Sequence, residues 1–355
     1  MPLPLSPARF ICLLFSCLLA GGTGDSARSV SAPAPAATFG QTVATGAQLN
    51  QVMEQAVMSL SPVMTFRCSG NMKQILENSY WKDYTNAYRY KSSAEGEIQL
   101  TLDLTDAARM LAASRNPALE PRLTTTERKA LAKARRIVEG NRRGSRFDTI
   151  VSLHDALVEL GETRSLHMPT ASMLLLDGVG DCWFYSLTLH MLLQMAGIPA
   201  HIVTGTGKGI PHSWNIVQLD NGEWYHIDTT WDDPIVRNFG STGIPSHRYF
   251  LICDTHMRKD HTWVTGAYPK SGTNHATYFK NRRIYFTDYD ELWLYAISVF
   301  RQGHLGFEAW LGTAYNEAAF KIGMNRAAAE APRLRSCAWI APEEGREGSI
   351  RIQFR

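Results

Sequence analysis

Cys182 occupies a position at which a cysteine side chain could act as a nucleophile. It follows Asp181 and opens an apolar run over 183–196 that ends at a Gly-Ile-Pro sequence, residues 197–199. An apolar run of this length predicts a buried helix with Asp181 as its N-cap and the Gly-Ile-Pro sequence as its stop signal. The unpaired N–H groups and the dipole of a helix N-terminus favour an anion, so this position favours the nucleophilic thiolate.

A predicted β-hairpin supplies a histidine and an aspartate to the same site. His212 begins one β-rich run, and Asp228 lies near the end of the next run, after an Asp-Asn-Gly-Glu turn at 220–223. Antiparallel pairing about this turn predicts a cross-strand or diagonal contact between the two side chains. In such a set His212 takes the proton of Cys182, and Asp228 orients the imidazole and stabilises its charged form.

A second set of residues is expected to line the substrate pocket or to support these three side chains. It comprises Asp181, Trp183, Phe184, Trp214, Asn215, His226 and Trp231. The tryptophans could stack on a sugar ring, although walls of the core around the site are the simpler interpretation. The histidines lack the spacing of zinc ligands, and the sequence has neither a CxxC nor an HExxH pattern. We therefore expect no metal and no cofactor.

Composition places the chain among ordinary globular proteins. It has 355 residues, of which 45% are hydrophobic and 19% charged, which excludes disorder over the whole length, collagen and coiled coil. The length suggests two or three domains. The formal net charge of +3 is too small to indicate a nucleic-acid partner, and the eight cations between residues 128 and 146 are expected on a solvated helix face and loop.

The N-terminal residues predict export. An apolar stretch at 10–20 lies between Arg9 and two glycines, which is typical of a signal peptide over 1–24, and residues 25–45 predict a flexible linker. No later stretch has 18 apolar residues, so no transmembrane segment is expected. The expected location is periplasmic, cell-surface or extracellular. A lipid anchor on Cys17 is a less favoured alternative, because the sequence around it only loosely matches a bacterial lipobox.

Periodicity divides the remaining chain into three parts: an N-terminal α/β module at 46–120, a catalytic core at 121–275 and a C-terminal α/β module at 280–355. In the first module, residues 71–89 predict a helix with an aromatic stripe, and residues 97–103 alternate as a half-buried strand does. The sequence at 95–100 is echoed at 347–352, which indicates either a weak internal repeat of the two modules or chance similarity.

The order and spacing of these elements resemble the transglutaminase-like superfamily, whose papain-like site has cysteine, histidine and aspartate in that chain order. The motifs that carry the resemblance are Gly180-Asp181-Cys182, Gly197-Ile198-Pro199, His212-Ser213-Trp214-Asn215 and the run from Trp224 to Pro234. Tyr249-Phe250-Leu251 and Asp260-His261-Thr262-Trp263 also look like the tail of secreted bacterial members. The resemblance implies an α+β fold, in which a papain-like transglutaminase core with its cysteine-bearing helix packed against an antiparallel sheet is flanked by small α/β modules.

The resemblance also implies thiol-dependent acyl transfer on amide bonds through a thioester on Cys182. Hydrolysis is preferred because water is abundant and nothing in the sequence marks an amine site. The alternatives are protein-glutamine cross-linking and a non-catalytic binding or scaffold protein. The expected partner is a protein or peptide substrate, with a cell-envelope peptide as one candidate. Phe184 stands where many members have a small residue and is expected to narrow or repack the site. The backbone N–H of Cys182 is the only oxyanion donor that the sequence identifies.

Overall fold

The computed structural model describes residues 37–163, 170–233, 246–331 and 337–354. The predicted signal peptide, the first part of the predicted linker and Pro234 lie outside these residues. Among the described helices, none is both long and apolar enough to cross a membrane. Export and a lipid anchor on Cys17 therefore stay predictions from the sequence.

The first module is a four-stranded sheet packed with three helices. Its elements are β1 (Ala37–Val43), α1 (Gly46–Met58), β2 (Val63–Cys68), α2 (Met72–Glu77), β3 (Thr85–Ser92), β4 (Glu97–Leu104) and α3 (Asp106–Arg115). The strand order is β1-β2-β4-β3, with β1 parallel to β2 and the other neighbours antiparallel. Ile98, Leu100 and Leu102 alternate along β4 and are buried in a core shared with α1. The predicted half-buried strand is therefore present.

Two segments of this module differ from the sequence predictions. Residues 37–43, assigned to the flexible linker 25–45, form β1 because β2 supplies parallel backbone partners and Val43 becomes fully buried. The helix predicted over 71–89 ends at Glu77, and the chain continues through a 3₁₀ turn (Trp81–Asp83) into β3. Pairing of β3 with β4 overrides the helical spacing of the aromatic side chains.

The central part consists of helices packed on a five-stranded antiparallel sheet. Its elements are α4 (Thr125–Asn141), α5 (Arg146–Leu160), β5 (Glu162–Thr163), α6 (Ala171–Asp177), β6 (Val179–Gly180), α7 (Cys182–Ala196), β7 (Ala200–Gly207), β8 (Ile210–Gln218), β9 (Trp224–Ile227), α8 (Thr229–Asp232), β10 (Phe250–Ile252), α9 (Asp254–Met257) and β11 (His261–Trp263), with a 3₁₀ helix (Pro117–Arg122) before α4. The large sheet has the order β10-β9-β8-β7-β11. Helix α7 is buried along most of its length and packs against β7 and β8, as its apolar sequence predicts. The predicted α+β class, with the cysteine-bearing helix on an antiparallel sheet, is confirmed.

Part of the basic run at 128–146 has internal partners. Arg142 donates to the carbonyl oxygens of Met195 and Ala196, both at 3.0 Å, at the carboxyl end of α7. Arg135 pairs with Glu120 at 2.6 Å. A cation near the last carbonyls of a helix is stabilising. Arg142 therefore helps to hold α7 in place, and Arg135 ties α4 to the 3₁₀ helix that precedes it, whereas the sequence predicted only a solvated face.

The C-terminal module has the same topology as the first. Its elements are α10 (Thr277–Asn281), β12 (Tyr285–Phe286), α11 (Tyr289–Arg301), β13 (Gly306–Leu311), α12 (Glu317–Glu330), β14 (Cys337–Ile340) and β15 (Gly348–Phe354). The strand order is β12-β13-β15-β14, with β12 parallel to β13 and the other neighbours antiparallel. The echoed sequences lead into or lie on β4 and β15, which are the third strands of their sheets. The topology therefore supports an internal repeat rather than chance similarity.

Candidate active site

Cys182 is the first residue of α7, and only 9% of its surface is exposed. Asp181 caps the helix: its carboxylate accepts hydrogen bonds from the N–H groups of Trp183 at 3.0 Å and Phe184 at 3.3 Å. Burial raises the pKa of the Asp181 carboxyl, although these donors and the charge of His212 oppose the rise. The cap fixes the first turn of α7, and with it the backbone that carries the thiol.

His212 and Asp228 contact each other across the hairpin. Nε2 of His212, on β8, donates to Oδ2 of Asp228 at 2.7 Å. Asp228 directly follows β9, and the register pairs Asn215 with Ile227, so the contact is diagonal. His212 also shares a side-chain hydrogen bond with Cys182. Because Asp228 occupies Nε2, the contact with Cys182 falls to Nδ1. The structure thus brings together the three residues that the sequence predicted as catalytic.

The charges at this contact favour an ion pair. Burial lowers the pKa of His212, but the charge and hydrogen bond of Asp228 and the contact with Cys182 outweigh it and raise the pKa to about 9. Burial raises the pKa of Asp228, but His212 and His261 lower it to about 2. The other carboxylate oxygen, Oδ1, accepts from the N–H groups of Thr230 and Trp231 at 3.1 and 3.2 Å. At neutral pH His212 therefore carries a proton beside an ionised Asp228.

His261 is a site residue to which the sequence assigned no role. On β11, its Nε2 lies 3.2 Å from Oδ2 of Asp228, and its Nδ1 lies 2.7 Å from Oδ1 of Asp260. Strand β11 pairs with β7 at the sheet edge, opposite Gly207. Because β7 and β11 are far apart in the chain, their pairing produces no periodic pattern within either segment from which it could be predicted. The sequence feature that included His261 was the Asp260–Trp263 segment, which resembles the tail of secreted bacterial transglutaminase-like proteins.

Gly207 allows the aromatic side chains to approach the site closely. A Cβ atom at this position would lie 2.7 Å from the ring of Trp231 and 3.2 Å from the ring of His212. Trp231 lies over both histidines, with ring centroids 5.2 Å from His212 and 4.3 Å from His261. Any side chain at residue 207 would therefore displace the predicted site residue Trp231.

Trp214 and His226 support the site from behind. Trp214 is buried, its ring is stacked near that of His212 at 6.1 Å, and its Nε1 donates to Nδ1 of His226 at 3.0 Å. Nε2 of His226 donates to Asp254 at 2.9 Å. Burial lowers the pKa of His226, so it is neutral with its proton on Nε2. His226 is thus a fully buried residue that holds Trp214 in place behind the site.

Asn215 connects β8 to the first turn of α7. Its Nδ2 donates to the backbone oxygen of Ser186 at 3.0 Å, and Oγ of Ser186 donates to the backbone oxygen of Cys182 at 2.7 Å. Trp183 and Phe184 are half-buried and pack against the large central core. Asn215 is therefore linked to the backbone of Cys182 through Ser186. That Phe184 narrows the site stays a prediction.

Among the described residues, two groups hold metal-ligating atoms within 4.8 Å of one another: His212 with Asp228 and His261, and His154 with Asp155 and His247. Their nitrogen–oxygen distances of 2.7–3.2 Å are those of direct hydrogen bonds. Hydrogen bonds between the histidine nitrogens and the carboxylate oxygens are therefore sufficient to account for the geometry of both groups.

The described geometry is that of a mixed helix-and-sheet protein with a cysteine, a histidine and an aspartate at one buried site. Residues 117–229, which include all three, match the model of the transglutaminase-like superfamily. The chain therefore carries a transglutaminase-like segment, and the predicted resemblance is confirmed over these residues. No curated protein matches the chain significantly.

Several solved structures are similar to parts of the chain. A TGase shares 14% identity over 65% of this chain and 67% of its own, with a TM-score of 0.29. The periplasmic domain of TgpA from Pseudomonas aeruginosa, bound to ethylmercury, shares 13% over 41% and 66%, with a TM-score of 0.26. A candidate cysteine protease from Cytophaga hutchinsonii shares 13% over 41% and 61%, with a TM-score of 0.25. The chain spans about two thirds or less of each, and TM-scores this low carry no argument about function.

Proposed function

We propose that this protein transfers acyl groups from amide bonds through a thioester on Cys182, and that water is the usual acceptor. The observation that carries the proposal is the 2.7 Å hydrogen bond between His212 and Asp228, with Cys182 on the other side of the same imidazole. A thiol at a helix N-terminus beside a protonated histidine has the surroundings of a reactive cysteine.

In the proposed reaction, the sulfur of Cys182 attacks the carbonyl carbon of the amide. The backbone N–H of Cys182 is the proposed donor to the oxyanion of the tetrahedral intermediate. His212 then gives its Nδ1 proton to the leaving amine as the carbon–nitrogen bond breaks, and a thioester remains. His212 next takes a proton from water, which attacks the thioester and releases a carboxylic acid and the Cys182 thiolate, so the protonated His212 is restored beside it. Asp228 holds Nε2 of His212 throughout.

The proposed substrate is a protein or peptide that the enzyme meets after export. Hydrolysis is preferred over cross-linking because water reaches a thioester without a dedicated binding site, whereas an amine acceptor needs one. The export part of the proposal is supported only by the apolar residues at 10–20 and their flanks.

Alkylation of the purified chain with iodoacetamide tests whether Cys182 is activated. At pH 6 an ordinary thiol is almost wholly protonated, so we expect Cys182 to react about 10²-fold faster than Cys68, which is half-buried and lies outside any helix N-terminus. His212→Ala should remove most of this advantage. Peptide mass spectrometry gives the rate for each cysteine. Cys337 is a second internal reference, since burial raises the pKa of its thiol to about 11.

The matched control is His304→Ala, which changes an exposed histidine of the C-terminal module. It should leave the alkylation of Cys182 unchanged. If Cys182 reacts no faster than Cys68 in the wild-type chain, or if His212→Ala has no effect, the catalytic proposal fails. With a reactive Cys182, incubation of a glutamine-bearing peptide with and without a primary amine separates hydrolysis, which gives a carboxylic acid, from transfer, which gives an amine adduct.

A further inference from the structure

His261 lies between two carboxylates and is completely shielded from solvent. Its Nε2 is 3.2 Å from Asp228, and its Nδ1 is 2.7 Å from Asp260. The hydroxyl of Tyr249 donates to the second oxygen of Asp260 at 2.6 Å. These contacts form a continuous chain from Tyr249 through Asp260, His261 and Asp228 to His212.

The chain of contacts fixes the protonation state of His261. An ionised carboxylate only accepts hydrogen bonds, so each ring nitrogen that contacts one must donate. Burial raises the pKa of Tyr249, which keeps its hydroxyl a donor to Asp260 and leaves that carboxyl able to stay ionised. The hydrogen bonds of Asp260 to His261 and Tyr249 keep its pKa low despite burial. With a carboxylate at each nitrogen, His261 is an imidazolium.

We propose that His261 is a positioning residue: it remains a cation at neutral pH, shares Oδ2 of Asp228 with His212, and so weakens the hold of His212 on its proton. The inference rests on the proposed function of Cys182, His212 and Asp228. Without His261, the negative charge on Oδ2 of Asp228 would stabilise the protonated form of His212 alone. With His261 present, Asp228 is fixed in place, but the same negative charge is shared between two imidazolium rings.

The distance between the two histidines makes this effect measurable. Their ring centroids are 5.5 Å apart, and a like charge at such a distance disfavours protonation by about one pKa unit or more. A weaker hold on the proton helps His212 to release it to the leaving amine, since proton transfer is most effective when the donor pKa lies near the working pH. His261 therefore offsets part of the stabilisation that Asp228 gives to the imidazolium.

Charged or titratable groups outside this chain of contacts also act on its members. They are Cys182, Asp181, His226, Lys208 and Arg248. His226 is neutral, because its Nδ1 accepts from Trp214. Lys208 acts on Asp260, and its ammonium lies over the ring of Trp231 at 5.2 Å. None of these outside groups is hydrogen-bonded to Oδ2 of Asp228 among the described contacts, whereas His261 contacts that oxygen together with His212.

Nitrogen-15 NMR of the histidine rings in the full chain tests the charge of His261 without any substrate. The ring signals of His261 are assigned by their loss in His261→Gln. We expect both nitrogens of His261 to be protonated at pH 7, where a free imidazole is mostly neutral. A His261 ring that is neutral at pH 7 would overturn the proposal, whatever the reactivity of Cys182.

The pH dependence of His212 tests the second half of the proposal. In His261→Gln, which keeps a polar side chain but removes the cation, the NMR titration of His212 should move up by about one pH unit. Asp260→Asn removes one of the two carboxylates that charge His261, and it should give a smaller shift in the same direction.

Asp260→Asn also serves if His261→Gln does not fold, because Asp260 is partly exposed. His304→Gln is the matched control and should leave every titration unchanged. If the His212 titration in Asp260→Asn and any folded His261→Gln coincides with the wild type, the positioning role is refuted. If wild-type Cys182 is not activated, the proposed function fails, and the NMR titrations still decide the charge of His261 and its effect on His212.

Discussion

Among the residues that the structure describes, two groups have one carboxylate oxygen within hydrogen-bond distance of two histidines. In the thiol-side group, Oδ2 of Asp228 contacts His212 at 2.7 Å and His261 at 3.2 Å. In the junction group, Oδ1 of Asp155 contacts His154 at 2.9 Å and His247 at 2.8 Å. The pKa values of all four histidines are raised by their carboxylate partners against the opposing effect of burial. The two groups therefore resemble each other in charge and hydrogen bonding, although Asp155 is partly exposed and Asp228 is buried.

The groups differ in what contacts their outer nitrogens. His212 turns its second nitrogen to Cys182, at the start of α7. His247 turns its second nitrogen to Glu308 of β13 at 3.1 Å, and its ring stacks on Tyr278 at 3.9 Å. The junction group thus joins the central part to the C-terminal module. A charged histidine–carboxylate group is consequently no evidence of catalysis by itself, and the adjacent thiol distinguishes the two.

A short helix connects the two groups. Asp228 caps α8, and the N–H of Asp232 donates to the backbone oxygen of Asp228 at 3.1 Å. The carboxylate of Asp232 lies 3.3 Å from Nε2 of His154 in the junction group. The C-terminal module therefore reaches the proposed active site through Glu308, His247, Asp155, His154 and Asp232. The following variants measure how far the two groups act separately.

The largest effect is expected from replacing the central carboxylate of each group. Asp228→Asn removes the charge that holds the proton on His212 and allows the wrong tautomer, so Cys182 should lose its thiolate. We expect its alkylation at pH 6 to slow by about 10²-fold. Asp155→Asn should leave this rate within about twofold and lower the free energy of unfolding by about 1–3 kcal/mol.

Alkylation rates and urea unfolding, both measured on the same preparations, test the predictions for Asp228→Asn and Asp155→Asn. His304→Asn, at an exposed position, reports the effect of handling and of a neutral substitution. Equal losses of Cys182 reactivity in Asp228→Asn and Asp155→Asn would show that the two groups act as one. In that case the distinction drawn from the neighbouring thiol would be wrong.

Local patterns in the sequence were sufficient to predict the thiol, its histidine and its aspartate. The apolar run after Cys182 identifies the helix, and the turn at 220–223 sets the register that brings His212 to Asp228. Helix caps, apolar runs and hairpin turns each lie within one short segment, so they can be recognised in a single sequence.

Contacts between distant segments were not predictable in this way. His261 reaches Asp228 only because β11 joins the edge of the sheet beside β7. Glu308 reaches His247 across 61 positions of the chain. Strand β1 lies in a segment of small residues and exists through its pairing with β2. Such contacts depend on the packing of whole elements, and no period or spacing within one segment encodes them.

A smaller effect, on stability alone, is expected from Glu308→Gln. Burial lowers the pKa of His247, but its hydrogen bonds to Asp155 and Glu308 outweigh it and raise the pKa to about 9. A raised histidine pKa stabilises the fold below the unfolded value of about 6.5, and the stabilisation is lost as the pH rises through about 9. Removal of the Glu308 charge should therefore cost about 2 kcal/mol at pH 6 and much less above pH 9.

Urea unfolding of wild type and Glu308→Gln at pH 6, 7.5 and 9.5 gives this difference directly. His212 and His261 contribute to the pH dependence of both proteins and cancel in the comparison. A difference that grows with pH would contradict the assignment of a charged His247. Cys182 alkylation in the same variant should remain at the wild-type rate, because the hydrogen-bond partners of Glu308 are His247 and Ser349, outside the thiol-side group.

The smallest effect is expected where the junction histidine stacks on an aromatic ring. The rings of His247 and Tyr278 are almost parallel, at 9°, with centroids 3.9 Å apart. A charged imidazole on such a face is stabilised by about 1 kcal/mol, so Tyr278→Leu should lower the free energy of unfolding by that amount at pH 6. Tyr278→Phe keeps the ring and should be close to wild type. If Phe and Leu cost the same, the hydroxyl rather than the ring supports His247, and the junction group would then depend on hydrogen bonds alone, as the thiol-side group does at Asp228.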